Sequence, residues 1–319
     1  MPTLRTYVLR FSSHLFFLKI RGIIMEKSKV KKAVIPAAGY GTRFLPATKV
    51  IAKEMFPIID TPTIDLIVRE ALDSGITEVL IIVSSSKNSI IDYFDRNLDL
   101  ERVLKEKGRM DDYKLITELP NKVNIHFVRQ KEQLGLGHAV LQSRSFIGDE
   151  PFALLLGDDV YVSNNETPVL KQLIDVYENV NSSVIGTIYV DKKDVNKFGI
   201  CEFEKEDNGN VNKLIGVAEK PSVDEARSQH AIGGRYILSP TIFKYLESQQ
   251  KGNSNEIQLT DAIRRMMSEE AVYAYQIDGR RYDIGSRSGY IEATLDFALK
   301  REDLRDDVIK IIKNKLKDL

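Results

Sequence analysis

The sequence has very few of the side chains that form covalent cross-links or bind transition metals. One of its 319 residues is a cysteine, Cys201, and four are histidines. A single cysteine excludes an intrachain disulfide and a cysteine-based zinc site, and it fits a reducing, cytoplasmic environment. The histidines have no paired spacing, so the sequence gives no indication of a transition-metal site.

The sequence also lacks an excess of either charge and a long apolar run. Its 46 Lys and Arg balance 46 Asp and Glu, so no overall field attracts nucleic acid or an anionic membrane. No uninterrupted apolar segment approaches the roughly 20 residues that span a bilayer. A hydrophobic content of 43% is typical of a globular protein with an ample core. Any polyanionic ligand must therefore be bound by a local cluster of cations.

The first 24 residues, "MPTLRTYVLRFSSHLFFLKIRGII", do not conform to the rest of the chain. Charged residues interrupt the apolar part and no small-residue cleavage site follows it, which argues against a secretory signal. Met25 then stands just ahead of the first predicted strand. We expect residues 1–24 to be dispensable for folding and activity, and an interfacial anchor is the alternative reading.

Strand and helix patterns alternate through the first half of the chain. The apolar runs "KKAVIPAA", "TEVLIIVSS", "VNIHFVRQ" and "PFALLLGDD" read as buried strands, with helical patterns between them, such as residues 62–75. This order predicts an α/β fold with a Rossmann-like, mostly parallel sheet flanked by helices. Ligands of such sheets bind beyond the carboxyl ends of the strands.

The remaining segments extend this plan. Residues 97–122 are charged and helical in pattern, which predicts an inserted helical hairpin because a simple connection would be shorter. The second half predicts antiparallel strands with an Asn-Gly turn at residues 208–209. A charged, helical segment runs from Arg287 to the C-terminus. We expect one domain over residues 25–305 and a helical tail over residues 306–319.

The segment "GYGTRFLPATK", residues 39–49, follows the first strand and is called the glycine loop below. Glycines after a strand form a phosphate cradle because they let several N–H groups approach one anion. A dinucleotide fingerprint needs glycine where Phe44 stands, and Pro46 would interrupt the helix that should follow. The spacing of a P-loop is also absent. A triphosphate suits the cations that follow the glycines, which are Arg43, Lys49 and Lys53.

Seven segments, taken in order, resemble bacterial UTP–glucose-1-phosphate uridylyltransferases, also called UDP-glucose pyrophosphorylases. They are "PAAGYGTRFLPATKVIAKEMFPIIDTPTI", "VRQKEQLGLGHAV", "FALLLGDD", "EKP", "GGRYIL", "NEIQLTDAI" and "RYDIGSRSGY". They extend from about Lys31 to about Arg305. The resemblance implies a nucleotide-diphospho-sugar transferase fold with an added antiparallel sugar-binding part.

The resemblance also implies roles for individual residues on the nucleotide side. The uracil would be held by the backbone of Ala37, Ala38 and Gly39, by the side chain of Gln130 and by Gly135. Arg43 and Lys53 would bind the triphosphate and stabilise the departing pyrophosphate.

On the metal and sugar side, the resemblance implies that Asp158 and Asp283 bind one Mg²⁺. Glu219 would hydrogen-bond sugar hydroxyls, Lys220 would bind the sugar phosphate, and Gly199 would contact the sugar through its backbone. A homodimer or homotetramer is also implied.

The chemistry of the reaction agrees with these residue types. A sugar-1-phosphate oxygen attacks the α-phosphorus of a nucleoside triphosphate in line, and pyrophosphate leaves. The nucleophile is already an anion, so no general base is required. The protein must instead hold two polyanions together and neutralise the charge that develops, which suits cations and a metal on oxygen ligands.

Departures from the family pattern, among them "ARSQHAIGGRY" ahead of a predicted strand, leave the identity of the sugar phosphate open. Ala52 stands where the family has proline, which frees φ before Lys53. Residues 287–289 read Arg-Ser-Gly in place of Lys-Leu-Gly, and we expect this change to affect the sugar side and not the nucleotide cradle. A related enzyme that uses another sugar phosphate or dTTP, and a catalytically silent paralogue that binds nucleotide, are therefore alternatives.

Overall fold

The computed structural model describes residues 30–204, 209–249 and 256–317. The N-terminal extension and Asn208 of the predicted turn lie outside these ranges, so their predictions stay untested.

The strands are numbered along the chain. They are β1 Lys32–Pro36, β2 Pro57–Ile58, β3 Thr61–Pro62, β4 Glu78–Val83, β5 Asn124–Arg129, β6 Phe152–Leu155, β7 Asp159–Ser163, β8 Ser183–Tyr189, β9 Gly199–Glu202, β10 Val211–Lys213, β11 Gly216–Glu219, β12 His230–Leu238, β13 Val272–Gln276 and β14 Gly279–Asp283.

The α-helices are numbered in the same way. They are α1 Thr63–Asp73, α2 Asn88–Phe94, α3 Leu98–Glu106, α4 Met110–Lys122, α5 Leu136–Leu141, α6 Arg144–Ile147, α7 Val169–Val180, α8 Ile242–Glu247, α9 Leu259–Met266, α10 Arg287–Lys300 and α11 Arg305–Lys317. None of the helices in the described ranges is long and apolar enough to cross a membrane.

A ten-stranded mixed sheet forms the centre of the molecule, in the order β10-β13-β8-β12-β6-β1-β4-β5, with β9 and β11 attached beside β12. The strands β6, β1, β4 and β5 are mutually parallel, and β12 joins them antiparallel. This confirms the predicted mostly parallel core with an antiparallel second part. Within residues 97–122, the predicted helical insertion, the structure has the two helices α3 and α4.

The central position of β1 explains the apolar run that follows Lys32 in this strand. Its residues Ala33, Val34 and Ile35 have no exposed surface, because helices cover both faces of the sheet. Helix α1 buries Ile64, Ile67 and other residues along one face, as its amphipathic pattern predicts.

The run "PFALLLGDD" is not one strand as predicted. Strand β6 ends at Leu155, and the chain turns at Gly157 before β7 begins in a separate two-stranded sheet with β14. A Cβ on Gly157 would lie 2.8 Å from the carbonyl oxygen of Pro36, so only glycine allows the turn to pack against the end of β1. Asp158 therefore lies in a turn beyond the carboxyl end of β6, and Asp159 begins β7.

Candidate active site

The glycine loop leaves the carboxyl end of β1 as a series of short 3₁₀ turns and not as a helix. These turns are Thr42–Phe44 and Ala47–Lys49, separated by Pro46, which confirms the prediction made from the proline. Gly41 has φ 65°, a left-handed conformation that favours glycine. Gly39 has open space within 4 Å of where a Cβ would stand. The loop thus presents backbone without side-chain cover at the carboxyl end of β1.

One cavity of about 760 Å³ opens beside this loop. The predicted site residues that line it are Arg43, Asp158, Gly199, Glu219, Lys220 and Asp283. Residues from the first strand region, from the end of β11 and from the end of β14 therefore share one space.

Lys53 is not in the lining of the cavity, but it contacts Asp158, which is. Its Nζ donates a hydrogen bond of 2.5 Å to Asp158 Oδ2. Burial lowers the pKa of Lys53, but the negative charges of Asp158, Glu54 and Asp159 together outweigh burial and hold this pKa above its ordinary value. Burial likewise raises the pKa of Asp158, but the positive charges of Lys53, Arg281 and Arg43 together hold it below its ordinary value. Both groups are therefore charged at neutral pH.

Asp158 and Asp283 lie together although 125 positions separate them in the chain. Strand β14 pairs antiparallel with β7, which places Asp283 opposite Asp159, and the N–H of Ile284 donates to the carbonyl oxygen of Asp158 at 2.9 Å. A Cβ on Gly285 would lie 2.6 Å from Asp158 Oδ2 and 3.0 Å from Asp283 Oδ1. The glycine thus leaves room where the two carboxylates converge.

This donor set suits Mg²⁺. Two carboxylates leave coordination positions for water and substrate phosphates, which is how Mg²⁺ is commonly bound. Among the described residues no group of three or more His, Cys, Asp and Glu side chains could hold a metal ion. The cavity lining also carries six carboxylates against four cationic side chains, so a divalent cation would help it to accept two phosphorylated substrates.

The residues predicted to bind the base are not in the lining of the cavity. Gln130, at the end of β5, is 4% exposed, and its Nε2 donates to the carbonyl oxygen of Gly135 at 3.3 Å. Gly135 has φ 100°, and its neighbour Leu136 lines the cavity. Ala37 and Ala38 are buried. The N–H of Ala37 already donates to Ile82, so Ala37 has only its carbonyl oxygen to offer a ligand.

The predicted sugar residues form one corner of the cavity. Glu219 stands opposite Gly199 in the antiparallel pair of β11 and β9. Lys220 Nζ lies 3.5 Å from Glu219 Oε1. Lys220 has φ 46°, an uncommon conformation for a residue other than glycine, and such strain occurs often at functional sites.

Sequence reasoning missed two arginines that hold the second aspartate of "GDD". Arg281 Nη2 lies 2.5 Å from Asp159 Oδ1. Arg235, fully buried, donates to the carbonyl oxygen of Asp159 at 2.7 Å and forms a 2.7 Å ion pair with Glu70. For Arg235 the available signal was its place within the apolar run of β12, since a buried charge requires a partner; "GRRYD", the sequence of β14, gave no such signal for Arg281. These contacts fix the turn that carries Asp158.

The expectation for residues 287–289 was wrong. Arg287 Nε donates to the carbonyl oxygen of Arg43 at 2.9 Å, so this segment also contacts the glycine loop, which is on the nucleotide side. Ser288 lines the cavity. Ala52, another departure, has φ −61° and ψ 134°, values that proline also adopts, so the loop keeps a proline-like path there.

Known proteins are similar to this chain over most of its length. Residues 32–299 match the family model described as nucleotidyl transferase. A curated relative from Staphylococcus haemolyticus, a UTP–glucose-1-phosphate uridylyltransferase, is 51% identical over 286 residues, which cover 89% of this chain and 98% of the relative.

Two solved structures are similar over most of their length. A UTP-bound UGPase from Acinetobacter baumannii has a TM-score of 0.82 and 38% identity, covering 89% of this chain and 98% of that one. A UDP-glucose pyrophosphorylase complexed with UDP-glucose has a TM-score of 0.77 and 41% identity, covering 85% of this chain and 100% of that one.

Proposed function

This chain belongs to the family of UTP–glucose-1-phosphate uridylyltransferases, and we propose that it transfers the uridylyl group of UTP to α-D-glucose 1-phosphate, giving UDP-glucose and pyrophosphate. The convergence of Asp158 and Asp283 beside Lys53, across one cavity from Glu219 and Lys220, is the observation that carries the proposal. It supplies a place for a metal, a triphosphate and a sugar phosphate within reach of each other.

The proposed reaction is a single displacement at phosphorus. An oxygen of the glucose 1-phosphate forms a bond to the α-phosphorus of UTP, and the bond from that phosphorus to the bridging oxygen of pyrophosphate breaks. Arg43 and Lys53 neutralise the departing pyrophosphate, and Lys220 holds the attacking phosphate. When bound by Asp158 and Asp283, Mg²⁺ would neutralise charge on the α-phosphate. These contacts hold the attacking oxygen close to the phosphorus, which removes much of the entropic part of the activation barrier.

We assign the base to the region of Gln130. A side-chain amide can pair with the edge of uracil through one donor and one acceptor. The backbone of Ala37, Ala38 and Gly39, together with Gly135, completes the proposed base pocket. Because Gln130 Nε2 already contacts Gly135 and His138, a base must replace one of these contacts, and a base whose edge does not match the amide would do so at a cost.

Pyrophosphate release, measured with each pair of nucleoside triphosphate and sugar 1-phosphate, tests the proposal. We expect UTP with glucose 1-phosphate to give the highest kcat/KM. Equal rates with all triphosphates would contradict the assignment of the base pocket. No release with any pair would favour the catalytically silent alternative.

A second candidate is a nucleotidyltransferase that uses a different sugar 1-phosphate, or dTTP. Ser288, a polar residue in the cavity wall where the family has leucine, favours it. Ser288→Leu should then shift preference toward glucose 1-phosphate if the unmodified enzyme prefers another sugar.

The setting of the enzyme is part of the same proposal. We propose Mg²⁺ as the cofactor, a cytoplasmic location that suits the single, buried Cys201, and a homodimer or homotetramer. We further propose one nucleotidyltransferase domain at residues 25–305 and a helical tail at residues 306–319. No nucleic acid or membrane partner is proposed. Loss of turnover on chelation, with recovery on adding Mg²⁺, would test the cofactor.

A further inference from the structure

Glu219 is held in one orientation by a hydroxyl from a different part of the chain. Thr260, the second residue of α9, donates from Oγ1 to Glu219 Oε2 at 2.7 Å. Thr260 is 7% exposed and lines the same cavity. The hydrogen bond joins residues 41 positions apart, so it is a tertiary contact and not a feature of local chain geometry.

The surroundings leave Glu219 little freedom. A Cβ on Gly199 would lie 3.4 Å from both Glu219 Oε2 and Thr260 Oγ1. The start of β9, the end of β11 and the start of α9 therefore meet at this carboxylate oxygen. The other oxygen, Oε1, faces Lys220 Nζ at 3.5 Å.

We infer that Thr260 is a positioning residue that orients Glu219 and thereby sets the enzyme's selectivity among sugar 1-phosphates. This rests on the proposed function, in which Glu219 hydrogen-bonds sugar hydroxyls. A hydroxyl that occupies Oε2 leaves Oε1 as the acceptor for the sugar and fixes its direction. A fixed acceptor distinguishes epimers because a hydroxyl of the wrong configuration leaves a polar group unpaired.

Thr260→Val tests the inference because valine keeps the shape of threonine and removes the hydroxyl. Hydrogen bonds to charged groups contribute roughly 1.5–3 kcal/mol, which corresponds to about 10- to 150-fold in an equilibrium constant. We expect the KM for glucose 1-phosphate to rise at least tenfold, the KM for UTP to change less than twofold, and discrimination against galactose 1-phosphate to fall. Thr260→Ser, which restores a hydroxyl, should recover most of the difference.

Thr117→Val is the matched control. Thr117 Oγ1 donates to the carbonyl oxygen of Tyr113 within α4 at 2.8 Å, so the substitution is identical but lies in the helical insertion. Its kinetics should equal those of the unmodified enzyme. If Thr260→Val does not fold, Thr260→Ala and Thr260→Ser are compared in its place, with thermal melting as the check on folding.

The outcomes separate this inference from the proposed function. An unmodified enzyme that is inactive with every sugar 1-phosphate contradicts the proposed function and this inference with it. An active enzyme in which Thr260→Val leaves the sugar KM and epimer discrimination unchanged overturns the inference alone. An equal rise in both KM values also overturns it, because that pattern indicates general disturbance of the cavity.

Discussion

Lys53 and Asp158 are two predicted ligand-binding residues that bind each other. The ammonium group of Lys53 contacts Asp158 Oδ2 at 2.5 Å, and that oxygen is also the atom nearest to where a Cβ on Gly285 would stand. A cation that binds there has to displace Lys53. A triphosphate can supply Lys53 with new partners, so metal and nucleotide should bind cooperatively.

Lys53→Met should therefore strengthen metal binding while it abolishes most turnover. Removing a positive charge close to a cation site should raise affinity for Mn²⁺ by about tenfold in the absence of substrates. Loss of one preorganised charge contact should lower kcat by roughly 10²–10³. Metal affinity is measured by electron paramagnetic resonance of free Mn²⁺, and kcat by pyrophosphate release.

Lys171→Met is the control for this pair of measurements. Lys171 pairs with Asp175 on the surface of α7, so its loss removes a lysine–aspartate pair away from the cavity. Both readouts should stay unchanged in the control. Weaker Mn²⁺ binding in Lys53→Met would mean that Lys53 supports the metal site and does not compete with the ion.

At the scale of elements, the sequence predicts best where burial alone decides. Residues 33–35 of β1 are apolar because both faces of the strand are covered, and α1 shows a single apolar face. The end of β6 was predicted wrongly because its apolar run continues to Leu156, and the turn depends on the close approach of Gly157 to Pro36. Such an approach involves residues far apart in sequence.

The candidate site divides in the same way. The meeting of Asp158 and Asp283 could be expected from the family resemblance and is found in the structure. Pairing of Arg235 with Glu70 spans 165 positions. No local pattern specifies that partner, because it results from the packing of α1 against the sheet.

A buried ion pair also connects the turn that follows the glycine loop with the start of α2. Glu54 follows Lys53 directly and is 1% exposed, and Lys87, just before α2, is 5% exposed. Lys87 Nζ donates to Glu54 Oε2 at 2.6 Å. Burial raises the pKa of Glu54 and lowers that of Lys87, so each charge depends on the other. This pair fixes the segment that carries Lys53.

Lys87→Met should destabilise the fold by about 3–5 kcal/mol, because it leaves the Glu54 carboxylate buried and unpaired. The double variant Glu54→Leu with Lys87→Met should recover much of this loss, since two apolar side chains replace the pair. The free energy of unfolding in urea measures both. A loss below about 1 kcal/mol in the single variant, as for exposed pairs, would show that Glu54 is solvated or protonated instead.

At the scale of the whole molecule, α10 connects the C-terminal region to the glycine loop and to the segment that follows it. Tyr290 donates from its hydroxyl to the carbonyl oxygen of Pro57 at 2.9 Å, and its ring packs against Phe44 and Phe56 with centroids 6.0 and 5.9 Å away. Arg287 contacts the loop as described. Among the described residues of α11, by contrast, none is buried.

The two C-terminal helices should therefore differ in what their removal costs. A chain that ends at residue 304 lacks α11 and should keep its melting temperature and its KM for UTP within about twofold, since helices are stabilised mainly by the apolar face that they bury. A chain that ends at residue 286 also loses α10, whose Ala293 lies fully buried in the core, and should not fold. Circular dichroism, light scattering and pyrophosphate release compare both chains with the full protein. Loss of turnover in the first chain, accompanied by a smaller assembly, would instead show that α11 acts between subunits and that the site depends on the oligomer.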